Sequence, residues 1–168
     1  MAPFGASRAG LMSVAEDDIP DSVVERPDDD SQTTDDRLTG IRIESDDEWP
    51  EIDVEISQNT SDLSGLFVYR ISDGELIGQS SISDVTAGDI YTIDLDSNIQ
   101  PSDGTDDTRY NILGDAGGSE YQRGFLNLSS FPGYESDDGR LRMVNGALGE
   151  TGDNPNPNLF KRIGNLSG

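Results

Sequence analysis

The sequence predicts an all-β protein, an antiparallel β-sandwich of jelly-roll or immunoglobulin-like type carrying an extended N-terminal arm. Three observations lead there. Short runs alternate apolar and polar residues with a period of two, as in Ile52-Asp53-Val54-Glu55-Ile56, the spacing of a strand with one buried face. Turn-forming residues recur between these runs, with 19 glycines and 8 prolines in 168 residues, as expected of many short strands. No window sustains a capped helical periodicity.

The elements follow in order from residue 39. Ile41-Arg42-Ile43-Glu44 alternates, and so does the run from Ile52 to Ile56. Leu66 to Ile71 is a short apolar run, Ser72-Asp73-Gly74 turns the chain, and Glu75 to Gly78 returns. That pattern reads as a hairpin with glycine at the positive-φ position. Ile90 to Leu95 is the next strand and residues 96–108 a polar loop. Arg109 to Leu113, Gln122 to Leu128 and Arg140 to Val144 read as strands, and Leu159 to Leu166 as the closing one. The expected core contains Ile52, Val54, Ile56, Val68, Ile93, Ile112 and Phe125. Asn154-Pro155-Asn156-Pro157 reads as a stiff extended connector.

The chain divides at residue 38. Residues 1–38 combine a small, apolar, weakly basic start with an acidic, proline-punctuated stretch from Glu16 to Asp36. Such a composition does not build its own core. It is either a free terminus or an anchoring peptide on an acidic tether. Pro3, Phe4, Leu11 and Met12 are the candidate anchoring residues, because they are apolar and precede a tether unable to bury them. Residues 39–168 form the expected sandwich domain.

Charge narrows the function. There are 34 acidic residues against 11 basic ones, for a net charge of −23. Asp outnumbers Glu 24 to 10, and Lys161 is the only lysine. In molar salt the Debye length falls to about 3 Å and dense acidity costs little, whereas in dilute buffer the same charges repel. The composition therefore points to a high-salt setting. No basic stripe meets phosphates, so nucleic acid is not an expected partner. No apolar run is long enough for a signal peptide or a membrane span. The expected course is synthesis in the cytoplasm without a signal peptide, and no membrane partner.

Histidine and cysteine are both absent. That excludes disulfides, histidine metal sites, Ser–His relays and cysteine nucleophiles. The expectation is a protein that is not an enzyme and has no cofactor. Carboxylates crowd the loop around Asp94, Asp96, Asp103, Asp106 and Asp107. Calcium takes six to eight oxygen ligands, which makes Asp96, Asp103, Asp106 and Asp107 weak candidates for a structural cation. Their spacing is not that of an EF-hand, and a solvated acidic loop is the favoured reading. Trp49, Tyr121, Phe125, Phe131 and Tyr134 are the aromatics open to stacking on sugars. Phe131 and Tyr134, in a turn rich in Gly and Pro, are the candidate glycan-contacting pair. The others read as core or loop braces. Asn59, Asn127 and Asn165 each open an Asn-X-Ser/Thr triplet, a weak signal in a Ser-rich chain.

Three stretches carry a resemblance. VYRISDGELIGQSSISDVTAGDIYTIDL, from Val68 to Leu95, is similar to a β-sandwich module of haloarchaeal and haloarchaeal-virus proteins. RYNILGDAGGSEYQRGF, from Arg109 to Phe125, resembles the continuation of that module, and PFGASRAGLMS, from Pro3 to Ser13, resembles the N-terminus of haloarchaeal virus structural proteins. The likeness covers residues 3–13 and roughly 66–126, and the lectin domain that often accompanies the module is lacking. It implies a virion component, a turret, spike, decoration, tail or fibre module. Its partners would be other virion proteins and copies of itself, with host surface glycans as a further partner. The competing expectation is a free carbohydrate-binding or cell-surface accessory module.

Overall fold

The computed structural model describes residues 19–25, 38–57, 59, 64–115, 133–148 and 160–167. The chain is all-β. Its strands are β1 (Val23–Glu25), β2 (Leu38–Ser45), β3 (Trp49–Ile56), β4 (Gly65–Arg70), β5 (Leu76–Ser81), β6 (Ile90–Ile99), β7 (Arg109–Asp115), β8 (Tyr134–Glu135), β9 (Leu141–Leu148) and β10 (Phe160–Gly164). A 3-10 turn, Asp106–Thr108, leads into β7.

Among the described residues every strand pairing is antiparallel. The order across the sheet is β1-β10-β3-β6-β5-β4-β7-β2-β9-β8. The two outermost strands approach each other, so the sheet curls nearly into a closed barrel. Right-handed twist accumulated over many strands favours such curling, and closure shelters edges that would otherwise pair with other chains. One continuous strand order thus runs through all ten described strands. That order has one thin point, since β5 and β6 are joined through a single residue pair, Gly78 with Leu95. A β-carbon at Gly78 would lie 2.5 Å from Leu95 Cδ2, so glycine permits the close approach there.

The interior is one apolar cluster fed by alternate residues. Ile41 and Ile43 of β2, Ile52, Val54 and Ile56 of β3, Leu66 and Val68 of β4, Ile93 and Ile99 of β6, and Tyr110 and Ile112 of β7 are all buried in it. Six of the seven expected core residues are therefore buried, and Phe125 lies outside the described residues. Trp49 is fully buried, its indole N–H donating to Ser45 Oγ at 2.8 Å, which satisfies the polar end of an otherwise apolar side chain. β7 is buried on its second face as well, through Asn111 and Leu113.

Several elements differ from the sequence reading. β6 runs on to Ile99, so Asp96 sits on a strand rather than in the following loop. Val23–Glu25, within the expected acidic tether, is a strand of the sheet, with Val24 fully buried and Ile19 packed against the core. Tyr134–Glu135 pairs with β9 as a two-residue strand inside a stretch read as a turn. The expected strand Gln122 to Leu128 lies outside the described residues.

Candidate functional site

The chemistry of this chain is concentrated in carboxylates, so the described carboxylates define what its surface can do. The densest group lies where β2, β7 and β9 run side by side. Glu44 accepts from Arg109 Nε at 3.1 Å, from Arg142 Nη2 at 3.1 Å and from Ser102 Oγ at 3.2 Å. Asp46 takes both terminal nitrogens of Arg142, at 2.8 and 3.2 Å. Asp47 takes Arg140 through Nε at 2.8 Å and Nη2 at 2.7 Å. The last two are forked guanidinium–carboxylate contacts, the stronger geometry for such pairs. Partial burial pushes the Glu44 carboxyl up, but the hydrogen bonds from Arg142 and Arg109 outweigh it and hold the group below the usual carboxylate range. The Arg142 hydrogen bond does the same for Asp46.

Turns supply a second kind of carboxylate site. In the β4–β5 hairpin, Asp73 accepts from Arg70 and from the Glu75 amide, which lowers its carboxyl to about 2. Glu75 also meets the Arg70 guanidinium. In the β8–β9 turn, Asp138 accepts from Ser136 Oγ at 2.5 Å, Ser22 Oγ at 2.7 Å and the Arg140 amide at 3.0 Å. Those hydroxyl and amide donors lower it to about 2. In the loop before β7, Asp103 accepts from the Thr105 hydroxyl and amide and from the Thr108 hydroxyl, and lies below its ordinary range for that reason. Asp73, Asp103 and Asp138 are each held ionised by donors from their own chain.

Asp53 is different because it is buried. Its side chain leaves the outer side of β3, is 3 % exposed, and is covered by the C-terminal residues. Oδ2 accepts from the Leu166 amide at 2.8 Å, the Ser167 amide at 3.0 Å and the Ser167 hydroxyl at 2.9 Å, while Thr92 Oγ1 donates to Oδ1 at 2.5 Å. Four donors replace the water this carboxylate loses. Beside it, Glu51 and Asp94 are direct register partners on β3 and β6.

Basic side chains are drawn inward to these acids. Among the described residues, Arg70, Arg109, Arg140, Arg142, Lys161 and Arg162 all form ion pairs within the chain. Among the described residues the scarce positive charge is thus matched locally, and the remaining outward acids present a negative surface.

The sequence candidates are distributed as follows. Asp96 lies on β6, apart from the Asp103 loop, and Asp106 faces Arg109 at 3.3 Å. Asp107 lies in the 3-10 turn. Among the described residues no three acidic side chains converge in a way that would hold a metal ion. Tyr134 is half-buried and packs against the core beside Met143, so it braces β8. Its expected companion Phe131 lies outside the described residues, as do Pro3, Phe4, Leu11 and Met12. Asn59 accepts from the Ala87 amide at 2.9 Å. Sequence reasoning missed the Asp53 clip and the Ser22–Asp138 contact. The available signal was Ile19 with the β-branched pair Val23-Val24, an apolar island in the acidic stretch.

Comparison with protein-family models, with curated proteins and with solved structures finds no match. Among the described residues no helix is long and apolar enough to cross a membrane.

Proposed function

We propose that this chain is a structural component of a halophilic virus particle, located in the virion, and not an enzyme. The observation that carries the high-salt part is the charge arrangement. A net charge of −23 sits on a compact β fold whose described basic residues are mostly engaged by its own acids. The particle role rests on the resemblance of residues 3–13 and 66–126 to haloviral structural proteins. In this reading the curled sheet is a β-sandwich whose four-strand part β1-β10-β3-β6 faces the remaining six across the shared core, and it projects outward as a turret, spike, decoration or fibre module. Residues 1–13 are the attachment peptide, and Pro3, Phe4, Leu11 and Met12 dock into neighbouring virion proteins. Full burial of each large apolar side chain contributes ~1.5–3 kcal/mol, against ~1–2 kcal/mol per residue for ordering the backbone. One arm therefore binds weakly, and several arms on one oligomer bind well. The test is deletion of residues 1–13. The truncated protein should fold in molar salt and fail to co-purify with particles. Normal incorporation would transfer the docking role to the β domain.

A further inference from the structure

Four dipeptides in this chain place glycine after Asp or Asn: Asp73-Gly74, Asp103-Gly104, Asp138-Gly139 and Asn145-Gly146. All of them lie on described backbone. In such a dipeptide the glycine nitrogen can reach the preceding side-chain carbonyl carbon and close a succinimide ring. Glycine, with no β-carbon, obstructs that approach least. Closure needs an electrophilic carbon and a backbone nitrogen free to turn toward it. The three Asp-Gly pairs meet neither condition. Each forms a tight turn, with φ of 70° at Gly74, 84° at Gly104 and 73° at Gly139. Each carboxylate accepts from the amide two residues on: Asp73 from Glu75 at 3.0 Å, Asp103 from Thr105 at 2.9 Å and Asp138 from Arg140 at 3.0 Å. That contact ties the side chain to the far amide rather than to the glycine nitrogen. Further donors, among them Arg70, the Thr105 hydroxyl and the Ser136 hydroxyl, keep the three groups ionised. An ionised carboxylate is a poor electrophile.

Asn145-Gly146 differs in both respects. Asparagine carries a neutral amide, with no charge to repel a nucleophile. The dipeptide also lies in a bulge of β9. Arg42 pairs with Val144 and Ile41 with Ala147, so Asn145 and Gly146 stand opposite one peptide bond of β2 and have no register partner there. On the other edge of β9, the described pairing with β8 stops at Arg142 and Met143. Extra residues in a bulge are left out of the ladder. To either side of them β9 is fixed by β2, through Leu141 to Val144 and through Ala147 and Leu148. The register thus frees one peptide unit of an otherwise paired strand, and that unit is the Asn-Gly bond.

We propose that Asn145-Gly146 is a self-modification site, at which the folded chain converts asparagine to aspartate and isoaspartate with water as the only co-reactant. The Gly146 nitrogen attacks Asn145 Cγ. The N–Cγ bond forms, the Cγ–Nδ2 bond breaks, and ammonia leaves with the proton lost by the Gly146 nitrogen. Water then opens the succinimide, its hydroxyl going to a ring carbonyl carbon and its proton to the nitrogen. Opening at Cγ gives aspartate. Opening at the main-chain carbonyl gives isoaspartate, whose backbone is one methylene longer. The bulge takes up that length because no ladder partner has to move with it. Either product adds a carboxylate next to Val144, the register partner of Arg42.

The test ages the full-length protein, folded in molar salt at mildly alkaline pH, in heavy-oxygen water. Peptide mass spectrometry, with fragmentation that separates aspartate from isoaspartate, reads each position. Heavy oxygen should enter at residue 145, in both products, at a rate close to that of the same dipeptide in urea-unfolded protein. Asp73, Asp103 and Asp138 should take up none while the protein is folded. N145Q, whose amide lies one methylene further from the chain, should stay unlabelled at that position. Retention of the Asn145 amide in the folded protein, with conversion only in urea, means that the strand holds Gly146 in place, and it overturns the proposal. Equal labelling at the three Asp-Gly turns overturns it as well, because the bulge would then confer nothing.

Discussion

The Ser22 hydroxyl donates to the Asp138 carboxylate at 2.7 Å across 116 positions of sequence. One residue precedes the first strand of the sheet and the other lies in the turn between its two last-placed neighbours, β8 and β9. The contact fastens the two ends of the curled sheet, and Asp138 lies at about 2 because Ser136, Ser22 and the Arg140 amide all donate to it. A carboxyl lowered in the folded state stabilises above its ordinary pKa, and the gain is lost as pH falls through the folded value. Loss of this contribution is expected between about pH 4 and pH 2. The group is largely exposed, so its size after screening is under ~1 kcal/mol. Acid titration of the thermal midpoint should show a smaller fall in D138N than in wild type over that window. Equal slopes would remove Asp138 from the acid response.

Gly164 and Gly104 separate two effects of glycine. Both have positive φ, but a β-carbon at Gly104 meets nothing within 4 Å, while one at Gly164 strikes the Ser22 carbonyl oxygen. G104A should cost about 1–2 kcal/mol, the backbone term alone. G164A should cost more and release β1, seen as faster amide exchange at residues 23–25. Similar stability losses in the two variants, with β1 still protected, would contradict the close approach.

The core makes a third prediction. Ile93 is fully buried in the shared interior, opposite its register partner Ile52 on β3. I93A should lower unfolding free energy by roughly 2–5 kcal/mol, measured by denaturant titration in molar salt. I90A, at a residue 43 % exposed, should change it little.

Asp53 makes a fourth. Removing a buried acceptor strands its donors, at roughly 1–3 kcal/mol for each group left unsatisfied. D53A should destabilise the protein and expose the amides of Leu166 and Ser167 to exchange. An unchanged exchange pattern at those two residues would mean that the C-terminal clip is held by something other than Asp53.

The fifth concerns salt. Dilution from molar salt to ~0.1 M lengthens the Debye length to ~10 Å and restores repulsion among charges that the paired arginines do not neutralise. The thermal midpoint should fall steeply across that range. Constant stability would remove the high-salt reading.

By itself the sequence determined the strand type, most strand positions and the inward face of each. Ile52, Val54 and Ile56 alternate with Asp53 and Glu55, and a period of two can be read from neighbours without any partner. Six expected core residues are buried for that reason. It also determined the charge and the absence of histidine and cysteine. Only the tertiary structure decided which strands lie side by side, that the sheet curls until its edges nearly meet, and that a three-residue run in an acidic stretch completes it. It also decided which acid meets which base. Glu44 and Arg142 are 98 positions apart, and Asp53 and Ser167 are 114 apart. With 34 acids in the chain, composition makes every carboxylate an equal candidate. Their roles diverge only when folding buries Asp53 under the C-terminus, forks Asp46 onto Arg142, and turns Asp138 toward Ser22.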